Sequence, residues 1–180
     1  MSQVPNPERR SKSGSHHAAP HNLFSMELSR NLRVDSVSRL QPTPPLAIDD
    51  REPVSAAIET MRREKTGCLL VTRQGQLVGI FTERDLLKRV LAAGLPLSVP
   101  MAECLTPNPA KVSPKDSVQT AVERMEKGGY RHLPVVDEMN RPIGTLSAKR
   151  VVHYLAEHFP ALVYNQPPDP TKMPETAEGA

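Results

Sequence analysis

Apolar positions in the middle of the chain alternate between a helical period and short extended runs. Val54, Ala57, Ile58 and Met61 recur at i, i+3, i+4 and i+7, and so do Val118, Ala121, Val122 and Met125. That spacing predicts two helices, each with one apolar stripe. Pro53 suits the first turn of the first helix and Asp116 is placed to cap the second. A short extended piece precedes each, at Leu46 to Ile48 and Ala110 to Val112. Two apolar runs follow each helix: Cys68 to Thr72 then Leu77 to Phe81, and Leu133 to Val136 then Ile143 to Leu146. The turns between them, Arg73-Gln74-Gly75-Gln76 and Asp137 to Arg141, predict hairpins. A closing helix ends each series, with Leu86, Leu87, Val90 and Leu91 on one face of the first and Val151, Val152, Leu155 and Phe159 marking the second.

The order is therefore β-α-β-β-α twice, and the two series are copies. Shifted by 64 positions, Pro45, Ala57, Glu59, Met61, Leu69 and Val71 fall on Pro109, Ala121, Glu123, Met125, Leu133 and Val135. One residue more enters at the second turn, after which Gly79 falls on Gly144 and Thr82 on Ser147. A unit of about 60 residues buries too little apolar surface to be secure alone. The expected fold is α/β (α+β), with the two units packed as a pseudo-two-fold pair and clefts where they meet. The divisions read from the sequence are a disordered tail at 1–22, a lead-in at 23–36, the first unit at 37–95, the second at 96–160 and an extended tail at 161–180.

Composition narrows the partners. Of 180 residues 38% are hydrophobic but only 3% aromatic, and there is no Trp, so the core is aliphatic. A net charge of +3 with no basic stripe argues against nucleic acid. No run approaches the roughly 18 apolar residues of a spanning helix, and the polar start lacks a signal peptide, so no membrane and a cytoplasmic address are expected. Cys68 reads as a small buried hydrophobe, and Cys68 and Cys104 are too few for a disulfide framework. His16, His17 and His21 read as a solvated segment, not a metal site. The sequence has no Walker loop, no G-x-G-x-x-G and no nucleophile elbow around Ser147, and His153 and His158 are i, i+5 on their helix. No enzyme, metal or catalytic cofactor is expected.

One segment does carry chemistry. In Gly79-Ile80-Phe81-Thr82-Glu83-Arg84-Asp85 a strand ends and a helix begins at Thr82, whose hydroxyl can cap free backbone N–H groups. Asp85, three residues on, lies on the same side of the first turn. Its carboxylate can accept from the vicinal hydroxyls of a ribose, and a helix start favours phosphate. The same pair equally suits a plain cap and a surface acid opposing the helix dipole. The second unit reads Gly144-Thr145-Leu146-Ser147-Ala148-Lys149-Arg150, where Arg150 has no acceptor for a ribose hydroxyl.

The repeat, the Gly79 to Asp85 segment, the run Tyr130-Arg131-His132-Leu133-Pro134-Val135-Val136-Asp137 and the joining stretch Met101 to Pro109 together resemble the tandem CBS domains, or Bateman module, over roughly Val37 to Phe159. The resemblance implies a ribose on Asp85, phosphates near Thr82, and a base between Ile80 and Ala110, with Phe81 in the same ligand set. It further implies that basic residues of the second unit, Arg131, His132 and Lys149, meet the phosphates. Unperturbed, His132 would titrate near neutrality, although such residues are more often packing. The expected protein is a non-catalytic sensor of AMP, ADP or ATP, homodimeric through apolar helix faces and acting on a separate effector protein. Two alternatives stay open: a dimerisation or docking module with empty clefts, and S-adenosylmethionine as ligand.

Overall fold

The computed structural model describes residues 20–160. His16, His17 and the C-terminal segment Leu162 to Tyr164 lie outside them. The chain enters as helix α1 (Pro20–Val34), which begins inside the stretch whose composition reads as tail. A 3₁₀ turn at Val37–Leu40 follows. The first unit is β1 (Ala47–Asp49), α2 (Val54–Arg63), β2 (Cys68–Arg73), β3 (Gln76–Thr82) and α3 (Glu83–Asp85), which runs on as a π-helix at Leu86–Leu91. Helix α4 (Met101–Cys104) and β4 (Thr106–Pro107) lead to the second unit: α5 (Val118–Gly128), β5 (His132–Val136), β6 (Pro142–Ser147) and α6 (Ala148–His158).

The strand order of the first sheet is β1-β2-β3-β4, parallel at its first pair and antiparallel at the others. In the second, β5 and β6 form the hairpin, and single bridges extend it on both sides, Val112 parallel to Val135 and Thr43 antiparallel to Thr145. Both sheets therefore have the same plan. The β2–β3 turn uses Gln74 and Gly75 at φ of 52° and 79°, as a tight hairpin turn demands.

Each unit is completed by the other's lead-in. The N–H of Val37 donates to the Asp116 carbonyl at 2.8 Å, and the N–H of Met101, its counterpart 64 residues on, donates to the Glu52 carbonyl at 2.9 Å. In return the first N–H groups of α5 and α2, at Val118 and Val54, reach the Asp35 and Val99 carbonyls at 2.8 and 3.0 Å. Helix N–H groups that would otherwise lack partners are thus satisfied by the crossing chain. The apolar side chains follow. Val37 and Leu40 are buried with Val118, Leu133 and Leu146, whereas Val99, Met101 and Cys104 are buried with Val54, Leu69 and Phe81. The crossing strands need glycine beneath them. A Cβ on Gly79 would lie 2.7 Å from Leu105 Cδ1 and 3.0 Å from the Thr106 carbonyl, and one on Gly144 would lie 3.0 Å from Pro42 Cβ.

The hairpins meet back to back through a small cluster of Cys68, Leu70, Leu77, Ile80 and Val136. Asn140, in a left-handed turn at φ 60°, ties the two by accepting from the Leu77 N–H and donating to the Leu77 carbonyl, both at 2.9 Å. Cys68 is buried as its apolar surroundings imply, and burial pushes its thiol up to about 12.

Three local expectations are corrected. Ser117, not Asp116, caps α5, accepting from the Thr120 N–H at 3.1 Å, while Asp116 accepts from Ser113 N–H and Arg124. In the π-helix Val90 is buried and Leu86 half-buried, but Leu87 and Leu91 are 60% and 56% exposed. The pairs i, i+4 each keep a face, and only one face meets the core. On α6 the buried partner of Val151 is Tyr154, whose hydroxyl donates to Asp35, and Val152 is turned outward.

Candidate functional site

The start of α3 is built by reciprocal capping. Thr82 N–H donates to Asp85 Oδ2 at 2.9 Å and Thr82 Oγ1 accepts from Asp85 N–H at 3.3 Å, so each residue satisfies the other's backbone. The Thr82 hydroxyl also donates to Oδ2 at 2.6 Å. The other carboxylate oxygen, Oδ1, accepts from Thr106 Oγ1 at 2.8 Å and Arg89 Nε at 3.1 Å. An ionised carboxylate offers about four acceptor positions. All are used, and they tie the motif to β4, the strand that leads into the second unit. Ser147 repeats half of this device by accepting from the Arg150 N–H at 3.4 Å, but a guanidinium cannot return the bond.

Asp85 is 8% exposed, at the wall of a cavity of about 300 Å³ between the units. From the first unit Ile80, Thr82, Glu83 and Arg84 line it with Asp85. The joining segment adds Thr106 and Pro109, and the second unit adds Ala110, Tyr130, Arg131 and His132. The volume lies within the range of small-molecule sites. The fold therefore brings together six of the eight expected residues: Ile80, Thr82, Asp85, Ala110, Arg131 and His132.

Phe81 and Lys149 are not among them. Phe81 is fully buried in the first unit's core, because consecutive residues in a strand point to opposite faces and Ile80 takes the cavity side. Lys149 is exposed on the first turn of α6 and is not part of this wall. The pseudo-two-fold explains why. After the inserted residue the copies are offset by 65, so Lys149 is the counterpart of Arg84. The operation that exchanges the units also exchanges the clefts, so the residue at this position on the cavity wall is Arg84. The repeat already carried that signal.

The wall is electrostatically mixed. Asp85 is paired with Arg89, whereas among the described residues Glu83, Arg84 and Arg131 make no ion pair. His132 is held below the ordinary histidine value by burial first and by the Arg131 charge second, with Glu83 opposing. Its imidazole is accordingly mostly neutral near pH 7.

The family model for the CBS domain matches this chain twice, at residues 37–92 and 101–157. This chain belongs to the CBS-domain family. Its two matches coincide with the two exchanged units, and the cavity is the cleft of a CBS pair. Among curated proteins it is 40% identical over 104 residues to the Meiotically up-regulated gene 70 protein of Schizosaccharomyces pombe, covering 57% of this chain and 14% of that protein. Among solved structures it resembles the CBS domain pair of MJ0100, in complex with 5'-methylthioadenosine and S-adenosyl-L-methionine, at a TM-score of 0.63 and 22% identity, covering 69% of this chain and 98% of that one. PAE2072 from Pyrobaculum aerophilum, complexed with AMP, matches at a TM-score of 0.61 and 24% identity over 68% of this chain and 99% of that one. CBS domains are generally non-catalytic regulatory modules. Among the described residues no helix is long and apolar enough to cross a membrane.

Proposed function

We propose that this CBS pair is a non-catalytic sensor of an adenine nucleotide, AMP, ADP or ATP, bound in the cavity between the units. The carrying observation is that Asp85 and Thr82 from one unit and Arg131 and Ala110 from the other line a single cavity of about 300 Å³. Two ribose hydroxyls can take the acceptor positions on Asp85 Oδ1 that Thr106 and Arg89 hold, since the Thr106 hydroxyl can rotate and Arg89 is a half-exposed side chain. The base enters between Ile80 and Ala110, and the phosphate faces Arg131, whose planar fork of donors suits it. Occupancy then alters how β4 and α3 are tied together. That change, passed to a separate effector protein, is the signal. The exposed apolar positions Leu87 and Leu91 of the first unit and Val152 of the second favour a homodimer through helix faces, in the cytoplasm.

Calorimetric titration of AMP, ADP and ATP against the wild type and Asp85→Ala tests the reading. Binding by the wild type that is lost in Asp85→Ala is expected; no binding by either at millimolar concentration refutes it. A second reading has S-adenosylmethionine as ligand. The unpaired Glu83 carboxylate on the wall favours it, because that ligand carries cationic groups and no phosphate. Retained binding of S-adenosylmethionine by Arg131→Ala, with AMP binding lost, would assign the two chemistries to different walls.

A further inference from the structure

We infer that Arg89 is a displaceable latch on the empty cavity: its guanidinium holds an acceptor position on Asp85 that a ribose hydroxyl must take, so ligand and latch compete. The inference rests on the adenine-nucleotide reading above and concerns what the protein gives up when that ligand enters. Arg89 Nε donates to Asp85 Oδ1 at 3.1 Å, and a second guanidinium nitrogen reaches Thr106 Oγ1 at 3.4 Å. The Thr106 hydroxyl donates to the same Oδ1 at 2.8 Å, while Thr82 takes the other oxygen. The carboxylate therefore has no acceptor position to spare for a ligand. Of its donors, the two threonine hydroxyls exchange with a ribose hydroxyl like for like. The guanidinium does not, because a charge-assisted hydrogen bond gives way to a neutral one. Arg89 is not itself part of the cavity wall, so it acts on the ligand only through Asp85.

The second copy has no such latch, and the helix register shows why the first does. Arg89 is the counterpart of Tyr154, which is buried on the plain α-helix α6 with its hydroxyl donating to Asp35. Asp35 in turn corresponds to Val99, buried in the core of the first unit. An α turn in the first copy would therefore press the Arg89 guanidinium toward a valine that offers no acceptor, which is costly. Instead Leu86–Leu91 is a π turn, with the Ala92 N–H donating to the Leu87 carbonyl at 2.9 Å. The wider turn brings Val90 into the core and leaves Arg89 47% exposed beside Asp85. A rare helical register thus delivers a cation to the carboxylate on the cavity wall, whereas in the other copy Arg150 replaces that carboxylate and Tyr154 that cation.

Titration of adenosine and of AMP against the wild type, Arg89→Met, Arg89→Lys and Lys88→Met, at low and at high sodium chloride, tests the latch. At low salt Arg89→Met should bind both ligands roughly two- to fivefold more tightly, the equivalent of one screened ion pair, and by the same factor because they share the ribose. Adenosine carries no charge, so its affinity for the wild type should rise with salt as the pair is screened, and its affinity for Arg89→Met should not. Arg89→Lys keeps the charge and should fall between the two, and Lys88→Met, which removes an exposed neighbouring cation, should match the wild type. Arg89 is half-exposed, so its variants are expected to fold. Weaker binding of either ligand by Arg89→Met, tightening confined to one of them, or a wild-type affinity for adenosine that is indifferent to salt would overturn the latch and leave the nucleotide reading standing. Wild-type and Arg89→Met proteins that both bind neither ligand overturn the nucleotide reading, and the latch with it.

Discussion

Replacing Asp85 by alanine should destabilise the empty protein before any ligand is considered. The carboxylate accepts from the Thr82 N–H and hydroxyl on one oxygen and from Thr106 and Arg89 on the other. These bonds are not equal in what they leave behind. Arg89 is 47% exposed, so its part-buried ion pair with Asp85 is screened by solvent on one side and contributes on the order of 1 kcal/mol or less. The two threonine hydroxyls can turn to other acceptors or water. The Thr82 N–H cannot, because its direction is fixed by the end of β3, and losing half of a capping box costs about 0.5 to 2 kcal/mol. Adding the buried volume of the missing carboxylate gives about 2 kcal/mol, or roughly 4 to 8 °C in a chain of this size. Urea unfolding followed by circular dichroism, without ligand, reads it directly. Asp85→Asn, which keeps one acceptor for the Thr82 N–H, should lose about half as much, and Thr106→Val less again. An Asp85→Ala protein with an unchanged urea midpoint, or a Thr106→Val protein that is the least stable of the three, would show that the network does not hold the motif as described.

Other substitutions probe the frame around the site. Gly79→Ala forces a methyl group against Leu105 and the Thr106 carbonyl and should cost about 1 to 3 kcal/mol in urea unfolding, more than Gly144→Ala, whose nearest atoms stand further off. Tyr154→Phe removes the hydroxyl that ties α6 to Asp35 and should cost about 1 kcal/mol; in the wild type burial and that bond push the phenol up to about 12, so ultraviolet titration should show one tyrosine ionising late. His132 is held below its unfolded value, so between the two values the unfolded chain binds the additional proton. Stability therefore falls as pH drops below about 6.5 and is fully recovered above it, a slope that His132→Asn should flatten. The thiol of Cys68 should resist alkylation at pH 8 until the protein is unfolded.

Much of this was legible as periodicity. The stripes Val54, Ala57, Met61 and Val118, Ala121, Met125 are the buried faces of α2 and α5, because a helix needs only its own residues to show its period. The hairpins were visible for the same local reason. The exchange of lead-ins was not, since Val37 on Asp116 and Met101 on Glu52 are contacts between distant segments that no local pattern encodes. Leu87, Leu91 and Val152 misled for a related reason: an apolar side chain signals burial only if something covers it, and within the described residues nothing does. At the site, Thr82 and Asp85 announced themselves by spacing, whereas Thr106 gave no signal because its role exists only once β4 has folded onto β3; Arg89, four residues beyond Asp85, was legible as a helical i, i+4 pair that the reading missed. That Phe81 and Lys149 lie off this cavity wall could have been read from the sequence, the first by strand alternation and the second by applying the repeat to Arg84.

The same symmetry explains why a duplicated unit need not have duplicated sites. The cavity takes the motif turn of the first copy but the strand entries of both, Gly67 and Arg131. The motif turns have diverged in chemistry. Asp85, an acceptor, corresponds to Arg150, a donor, and the Arg84 fork to the compact charge of Lys149. Asp85 and Arg84 line the cavity, and Arg150 and Lys149 do not. The backbone frame is nonetheless kept in both, through Thr82 and Ser147 capping their helices and through Gly79 and Gly144 admitting the crossing strands. The frame therefore serves folding, which needs both copies, while the side chains on the cavity wall serve recognition, which needs one. An acid placed there by Arg150→Asp should therefore leave the urea midpoint close to the wild type, because Ser147 still caps α6 and Gly144 still admits the crossing strand.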